Sequence, residues 1–246
     1  MKALITGASS GIGKDFAKIL ASKNYELMLV ARDEEKLNEL KKELKTNIKV
    51  ISMDLSNPDN CKKLHAENPD VDLLINNAGF GDCGNFTHTS LDKELSMINT
   101  NITAYHILTK LYLVDMKKVN KGHILNVASI AGFMPGPLMA TYYATKSYIV
   151  RLSEGIREEL NKEKSNIKIS ILCPGPVKTN FTKVANVKFN LKEANSYDVA
   201  KYAIDNLNKF YIVPGIDIKL ARLGAKLFPS SLVAKVTYMV QKKKLQ

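Results

Sequence analysis

A tyrosine and a lysine four positions apart are the residues whose types and spacing most directly suggest chemistry. Tyr142 and Lys146 fall in the segment 141–161, whose apolar pattern predicts a helix, so both side chains share one face. A neighbouring ammonium favours a phenolate, and we expect Lys146 to lower the Tyr142 pKa towards neutrality. A phenol of that kind can protonate a developing alkoxide. Surface helices often carry the same pair, so this spacing alone is weak evidence.

A serine strengthens the prediction because of where it falls. Ser129 ends the apolar run 123–129, which predicts a buried strand, and ligands of open parallel sheets bind at the carboxyl ends of strands. Its hydroxyl could hydrogen-bond a substrate carbonyl oxygen. Tyr143 lacks a comparable partner, because Ser147 stands four residues after it.

A glycine-rich turn follows the first predicted strand. Residues 6–13 read TGASSGIG, and a helical pattern comes next. Glycines allow a sharp turn and a close approach to a diphosphate, while the helix directs free N–H groups at the anion. The spacing Gly-x3-Gly-x-Gly differs from the commoner Gly-x-Gly-x-x-Gly. An ordinary corner between a strand and a helix is the alternative interpretation.

The end of the second predicted strand bears on the type of nucleotide. This strand ends at Arg32, where an acid would bind the ribose diol of NAD and an arginine would pair with the 2′-phosphate of NADP. Asp33 follows at once, and we interpret it as the N-cap of the next helix. Arg32 therefore favours NADP(H).

Strands and helices alternate along the chain. This order predicts an α/β fold, a doubly wound, Rossmann-type parallel sheet in a single domain, residues 1–246, with a helical carboxyl-terminal extension over 214–246. Apolar runs predict strands at 2–6, 26–31, 49–54, 71–76, 123–129 and 166–172. Helical patterns cover 11–23, 33–45, 91–118 with a break near 99–101, and 141–161.

The motifs together are far more specific than any one of them. Five features occur in this order along the chain: TGASSGIG (6–13), NNAG (76–79), Ser129, YYATK (142–146) and PGPVKT (174–179). Over roughly residues 2–185 the chain resembles the short-chain dehydrogenase/reductase family, in its compact branch. The resemblance implies hydride transfer between NADP(H) and a carbonyl or secondary alcohol, with Tyr142 as the general acid and base.

The resemblance also implies roles for individual residues. Ser129, Tyr142, Lys146 and Asn101 would be catalytic, with the Asn101 backbone holding a water linked to Lys146; nearby Asn99 is the alternative. Asp54 would contact the adenine beside Leu55, and Lys146 the nicotinamide ribose. The residues implied in cofactor binding are Gly7, Ser9, Ser10, Gly11, Ile12, Gly13, Arg32, Asp54, Leu55, Asn77, Ala78, Gly79, Tyr142, Lys146, Pro174, Gly175, Val177 and Thr179.

Two segments should flank the substrate. Residues 130–141 and 177–196 contain Phe133, Met134, Leu138, Met139 and Phe181, which favour a small-to-medium apolar ketone or aldehyde; ordinary core contacts are the alternative. Three other functions remain open. One is an NADP-binding sensor without turnover, and another is a reductase of lipids, acyl thioesters or sterols at a membrane surface. The third is a sugar-nucleotide epimerase, although the chain lacks the separate substrate domain of such an enzyme.

Composition limits the remaining classes. The 246 residues carry a net charge of +12, of which +7 falls in 219–246, and no nucleic-acid recognition motif accompanies it. Three scattered cysteines predict a reducing, cytoplasmic location and no metal site.

Apolar residues near the carboxyl end predict helix faces that close the substrate pocket; docking on an anionic membrane is the alternative. These residues are Leu220, Leu223, Leu227, Leu232, Val233, Val236 and Val240. The resemblance suggests a homo-oligomer, a dimer or tetramer paired through 101–118 and 141–161.

Overall fold

A seven-stranded parallel sheet forms the centre of the molecule. The computed structural model describes residues 1–185 and 193–243, and the strands follow the order β3-β2-β1-β4-β5-β6-β9. They are β1 (Lys2–Thr6), β2 (Glu26–Ala31), β3 (Ile48–Ser52), β4 (Leu73–Asn76), β5 (His123–Val127), β6 (Lys168–Leu172) and β9 (Tyr211–Ile212). A separate parallel pair joins β7 (Val177–Lys178) to β8 (Ala194–Asn195).

Helices connect the strands and cover both faces of the sheet. They are α1 (Gly11–Ser22), α2 (Glu34–Glu43), α3 (Pro58–Glu67), α4 (Leu91–Ile98), α5 (Ala104–Val119), α6 (Ala140–Lys162), α7 (Phe181–Val184), α8 (Ser196–Asp205), α9 (Ile216–Leu227) and α10 (Ser230–Lys242). A π-helical segment, Asn99–Thr103, joins α4 to α5, and a 3₁₀ turn, Ile130–Phe133, precedes α6.

Successive residues of β1 explain the two layers of helices. Ile5 points into a core that contains Phe16 of α1, whereas Leu4 points into a core that contains Tyr112 of α5. Since side chains alternate along a strand, a run that is apolar at every position must be buried on both faces. The predicted doubly wound, Rossmann-type single domain is therefore confirmed.

The strand order reverses between β1 and β4, and this reversal opens a crevice at their carboxyl ends. Thr6 closes the base of the crevice, because its hydroxyl oxygen accepts hydrogen bonds of 2.9 Å from the backbone N–H groups of Asn77 and Ala78. The ends of β1 and β4 are thus fixed relative to each other, together with the loops that follow them.

Some elements lie outside the predicted pattern. The helix α3 was not predicted; it begins at Pro58 and is capped by the Asn57 side chain, and its short apolar face gives a weak periodic signal. The predicted break in 91–118 coincides with the π-helical segment. Within the described residues, no helix combines the length and apolar character needed to span a bilayer.

Candidate active site

The glycine turn presents an uncovered helix N-terminus. Gly7 has a φ of 67°, and a Cβ at Gly13 would lie 2.2 Å from the carbonyl oxygen of Gly7, so neither position accepts a larger residue without rearrangement. The N-cap of α1, Ser10, makes no side-chain capping bond, and the first turn holds no acid. Its N–H groups can therefore receive an anion.

One cavity of about 520 Å³ runs along the carboxyl ends of the strands. It brings together all but two of the residues that the sequence predicted for catalysis and cofactor binding. Those that line it are Gly7, Ser9, Ser10, Gly11, Ile12, Arg32, Asp54, Leu55, Asn77, Ala78, Gly79, Ser129, Tyr142, Lys146, Pro174, Gly175, Val177 and Thr179. The other two, Gly13 and Asn101, lie behind the cavity wall.

The end of the cavity near β2 and β3 holds two cations, Arg32 and Lys36, and two acids, Asp33 and Asp54. One oxygen of Asp33 accepts a 3.0 Å hydrogen bond from the backbone N–H of Lys36, which confirms the predicted N-cap, and the other pairs with the Lys36 ammonium. These hydrogen bonds lower the Asp33 pKa. Sequence reasoning missed Lys36, although it stands three residues after the cap, on the same turn.

Asn77 supports the glycine turn from beneath. Its side-chain amide donates hydrogen bonds to the carbonyl oxygens of Thr6 and Gly7, at 2.9 and 3.3 Å. The family resemblance implies that Asn77 approaches the adenosine ribose of the cofactor. In the structure its amide nitrogen is engaged in ordering the loop.

At the opposite end of the cavity, near β5 and β6, the predicted catalytic side chains converge. The Lys146 ammonium donates a 2.9 Å hydrogen bond to the carbonyl oxygen of Val127 and lies 5.9 Å from the ring centre of Tyr142. The Ser129 hydroxyl lies near enough to the Tyr142 phenol to lower its pKa, and it accepts a hydrogen bond from the N–H of Ala131 at 3.2 Å. Phenol, hydroxyl and ammonium thus share one small region.

The expected lowering of the Tyr142 pKa is wrong for this structure. Burial raises the pKa of Tyr142 to about 12, and the nearby Ser129 hydroxyl opposes the rise only partly. The Lys146 ammonium donates to the Val127 carbonyl oxygen, and burial and Ser129, rather than this ammonium, are the causes of the shift in the phenol pKa. Burial also lowers the pKa of Lys146 to about 8, so desolvation dominates both groups.

Asn101 is fully buried in the π-helical segment, which interrupts regular helical bonding. Its side chain accepts from the Phe80 N–H at 3.1 Å and donates to the Phe80 carbonyl at 2.9 Å and to Thr145 at 3.1 Å. Asn99, the sequence alternative, shows only a 3.5 Å contact with Thr103. Asn101 therefore joins the loop after β4 to the helix that carries Tyr142 and Lys146. Sequence spacing gave no sign of Thr145.

The wall beside Tyr142 is largely apolar. Met139 and Phe181 line the cavity as predicted, with the Phe181 ring 5.2 Å from the Tyr142 ring between centres, whereas Phe133, Met134 and Leu138 do not line it. The part of the predicted flanking segment at 186–192 lies outside the described residues. Tyr143 also lines this wall and accepts a hydrogen bond from buried Gln241 of α10, a contact 98 residues apart that no local pattern indicates.

The carboxyl-terminal leucines are not internal, so that expectation is wrong. Leu220, Leu223 and Leu227 of α9 are 62%, 51% and 69% exposed, and Val233 is only partly buried. Leu232, Val236 and Val240 of α10 are also exposed. Instead, Ile218 packs towards Gly175, and Thr237 and Gln241 are the buried residues of α10. The inner side is therefore formed by Ile218 on α9 and by Thr237 and Gln241 on α10.

Relatives in sequence share this architecture. The model of the family described as short chain dehydrogenase matches residues 1–189. An uncharacterized oxidoreductase of Staphylococcus epidermidis is 32% identical over 223 residues, which cover 86% of this chain and 96% of that protein. Very-long-chain 3-oxoacyl-CoA reductase-A of Danio rerio is 35% identical over 199 residues, which cover 74% of this chain and 60% of that protein.

Solved structures agree in fold. A short-chain dehydrogenase from Sphingobium yanoikuyae in complex with NADPH superposes with a TM-score of 0.81 at 27% identity, covering 92% of this chain and 94% of its own. A short-chain dehydrogenase/reductase from Burkholderia phymatum in complex with NAD also reaches 0.81, at 25% identity, covering 90% and 91%. The chain belongs to the short-chain dehydrogenase family of oxidoreductases.

Proposed function

We propose that this protein is an NADP(H)-dependent oxidoreductase that interconverts a carbonyl and a secondary alcohol, with Tyr142 as the general acid and base. The observation that carries the proposal is the convergence of Tyr142, Ser129 and Lys146 at one end of a cavity whose other end has an uncovered helix N-terminus and two cations. A dinucleotide bound along this cavity would place its nicotinamide beside the phenol, which would exchange a proton with the substrate oxygen.

The residues present fit such a cofactor. The glycine cradle and the uncapped N-terminus of α1 suit a diphosphate, Asp54 and Leu55 an adenine, and Pro174 and Gly175 the nicotinamide. Arg32 supports NADP(H) over NAD(H), and Lys36 adds a second cation for a 2′-phosphate. Asp33 is already bonded twice to Lys36, so it competes poorly as an acceptor for a ribose diol.

The chain's own groups account for binding and proton transfer. When bound, the nicotinamide supplies the hydride or accepts it. Ser129 and Tyr142 would hold the substrate oxygen, and the phenol would give its proton to that oxygen as negative charge develops. A phenol whose pKa is about 12 stays protonated at neutral pH. Lys146 would hold the nicotinamide ribose, and a water held by the Asn101 backbone would pass a proton towards it.

An apolar substrate suits the wall beside Tyr142. Met139, Tyr143 and Phe181 present two aromatic rings and a flexible thioether, which favours a small-to-medium ketone or aldehyde over a polyol. A fatty acyl thioester is the second candidate, since the relative from Danio rerio is named a very-long-chain 3-oxoacyl-CoA reductase. The intact phenol, hydroxyl and ammonium count against a sensor without turnover, which needs no proton donor.

Two features of the proposal concern the protein's surroundings. We expect pairing of two copies through α5 and α6, where Val114 is 43% exposed. We also expect a cytoplasmic location, because the three scattered cysteines of the sequence suggest no disulfide framework. Mass in solution by light scattering tests the first. Loss of pairing would leave the chemistry of the site unaffected.

A cofactor and substrate screen tests the proposed function. NADPH and NADH oxidation would be followed with a panel of apolar ketones, aldehydes, acyl thioesters, sterols and polyols, for the wild-type protein and Tyr142→Phe. We expect faster NADPH oxidation with an apolar ketone or aldehyde, lost in the variant. A preference for polyols would refute the apolar pocket, and absence of turnover despite tight NADPH binding would favour the sensor.

A further inference from the structure

The two carboxyl-terminal helices expose an unusual amount of apolar surface. Ten of the eighteen large apolar side chains exposed among the described residues fall within 216–240. On α9 they recur with a spacing that forms one outward row. On α10, Leu232 and Met239 lie opposite the buried Thr237, and the others lie on the sides of the helix. The ten are Ile216, Leu220, Leu223, Leu227, Phe228, Leu232, Val236, Tyr238, Met239 and Val240; we call this surface the carboxyl-terminal face.

Positive side chains border the carboxyl-terminal face. Lys219 and Lys226 lie roughly 70–90° around the α9 axis from its apolar row, at about 100° per residue, and Lys235 and Lys242 flank Met239 on α10. The helices α9 and α10 together carry five lysines and arginines against one acid, Asp217. Lysines in this position can bury their aliphatic stems while keeping the ammonium in a polar layer.

The inner sides of both helices are fixed to the body of the protein. Ile218 packs towards Gly175, and the Arg222 guanidinium lies 3.6 Å from the ring centre of Tyr211. Gln241 is buried and donates to Tyr143. The apolar row of α9 consequently has no simple way to turn inward, because the positions that face the protein are already occupied.

Charge decides which partner the carboxyl-terminal face suits. A symmetric contact between two copies would place the same cationic border against itself, and like charges at an interface disfavour association. A bilayer with anionic headgroups matches the lysines, and its acyl region matches the leucines. We propose that the outward faces of α9 and α10 dock this protein on an anionic membrane surface, as a peripheral protein.

Vesicle sedimentation of the full-length protein tests docking without using activity or cofactor, so its failure is separate from any failure of the proposed function. We expect binding to phosphatidylglycerol–phosphatidylcholine vesicles and little binding to phosphatidylcholine alone. Each lysine near an anionic surface contributes about fivefold to partitioning, so Lys219→Glu with Lys226→Glu should reduce binding at least about 25-fold. Binding should also fall in 1 M salt, where the Debye length is about 3 Å.

Matched variants separate docking from general stickiness. Leu220→Gln with Leu223→Gln should reduce vesicle binding. Two controls should not: Val119→Gln, at a similarly exposed apolar residue on α5, and Lys41→Glu with Lys42→Glu on α2. Circular dichroism confirms that each variant is folded. Three results would each overturn the proposal. The first is absence of binding at low salt, and the second is an equal loss of binding in the control variants. The third is self-association that the α9 leucine variant abolishes while vesicles remain unbound.

Discussion

The Lys146 ammonium is buried, and it donates a 2.9 Å hydrogen bond to the carbonyl oxygen of Val127. The same oxygen accepts a second hydrogen bond, of 3.1 Å, from the Tyr105 hydroxyl. Removal of the ammonium therefore leaves this carbonyl satisfied. The lysine, in contrast, loses hydration on folding, and burial lowers its pKa from 10.5 to about 8. Lys146 should thus lower the stability of the fold at neutral pH.

Replacing Lys146 by methionine should raise the free energy of unfolding at pH 7, by at most about 3 kcal/mol given the size of the pKa shift. Chemical denaturation measures the change. Activity should fall sharply, because the group proposed to hold the nicotinamide ribose is lost. A site that costs stability in exchange for function is the pattern expected here.

The pH dependence of that difference has a definite sign. Below pH 8 the lysine is protonated in both states, and the full penalty applies. Between about 8 and 10.5 the unfolded chain binds more protons than the folded one, so wild-type stability rises with pH. The stability gap between Lys146→Met and the wild type should therefore shrink across this window. A gap that widens, or a less stable variant at pH 7, would contradict the assignment.

Much of this arrangement could be predicted from the sequence because the signals are local. The glycine turn, the Asp33 cap and the one-turn spacing of Tyr142 and Lys146 depend on neighbouring residues alone. Desolvation depends on everything packed around a group, and for this reason the direction of the Tyr142 pKa shift was predicted wrongly. The contact between Gln241 and Tyr143 likewise joins segments whose proximity only the assembled fold determines.

The Tyr142→Phe variant should lose activity by about 10²-fold or more, the usual contribution of general acid–base catalysis. NADPH affinity should change little, because only one hydroxyl is removed. Tyr143→Phe provides the matched control: it removes a neighbouring hydroxyl, bonded to Gln241, and should affect KM more than kcat. Steady-state kinetics and fluorescence titration measure the two effects. Near-normal turnover of Tyr142→Phe would exclude Tyr142 as the acid.

Replacing Arg32 or Lys36 by alanine should weaken NADPH binding, and Arg32→Ala should leave NADH binding largely unchanged. Each cation lines the β2–β3 end of the cavity, and a hydrogen bond to a charged group contributes about 1.5–3 kcal/mol, so a loss of roughly tenfold or more is expected. Lys36→Ala also releases one oxygen of Asp33, which should improve NADH binding. Lys18→Ala, a lysine of α1 paired with Glu43, is the control. Tighter NADH than NADPH binding by the wild type would refute the role of Arg32.

Asn101 offers a test of how the loop after β4 is coupled to the catalytic helix. Asn101→Ala removes three hydrogen bonds, two to Phe80 and one to Thr145. It leaves partly buried backbone groups of Phe80 without these partners, which costs at most about 1–3 kcal/mol for each group. We expect a lower melting temperature and a larger fall in kcat than in KM, because Lys146 stands one residue after Thr145. Asn99→Ala, in the same π-helical segment but with a single 3.5 Å contact, should change both far less. Equal effects of the two variants would show that the segment as a whole, rather than the Asn101 side chain, positions the catalytic helix. If the Asn101 amide alone joins the loop to the helix, only the loss of that amide should have the larger effect.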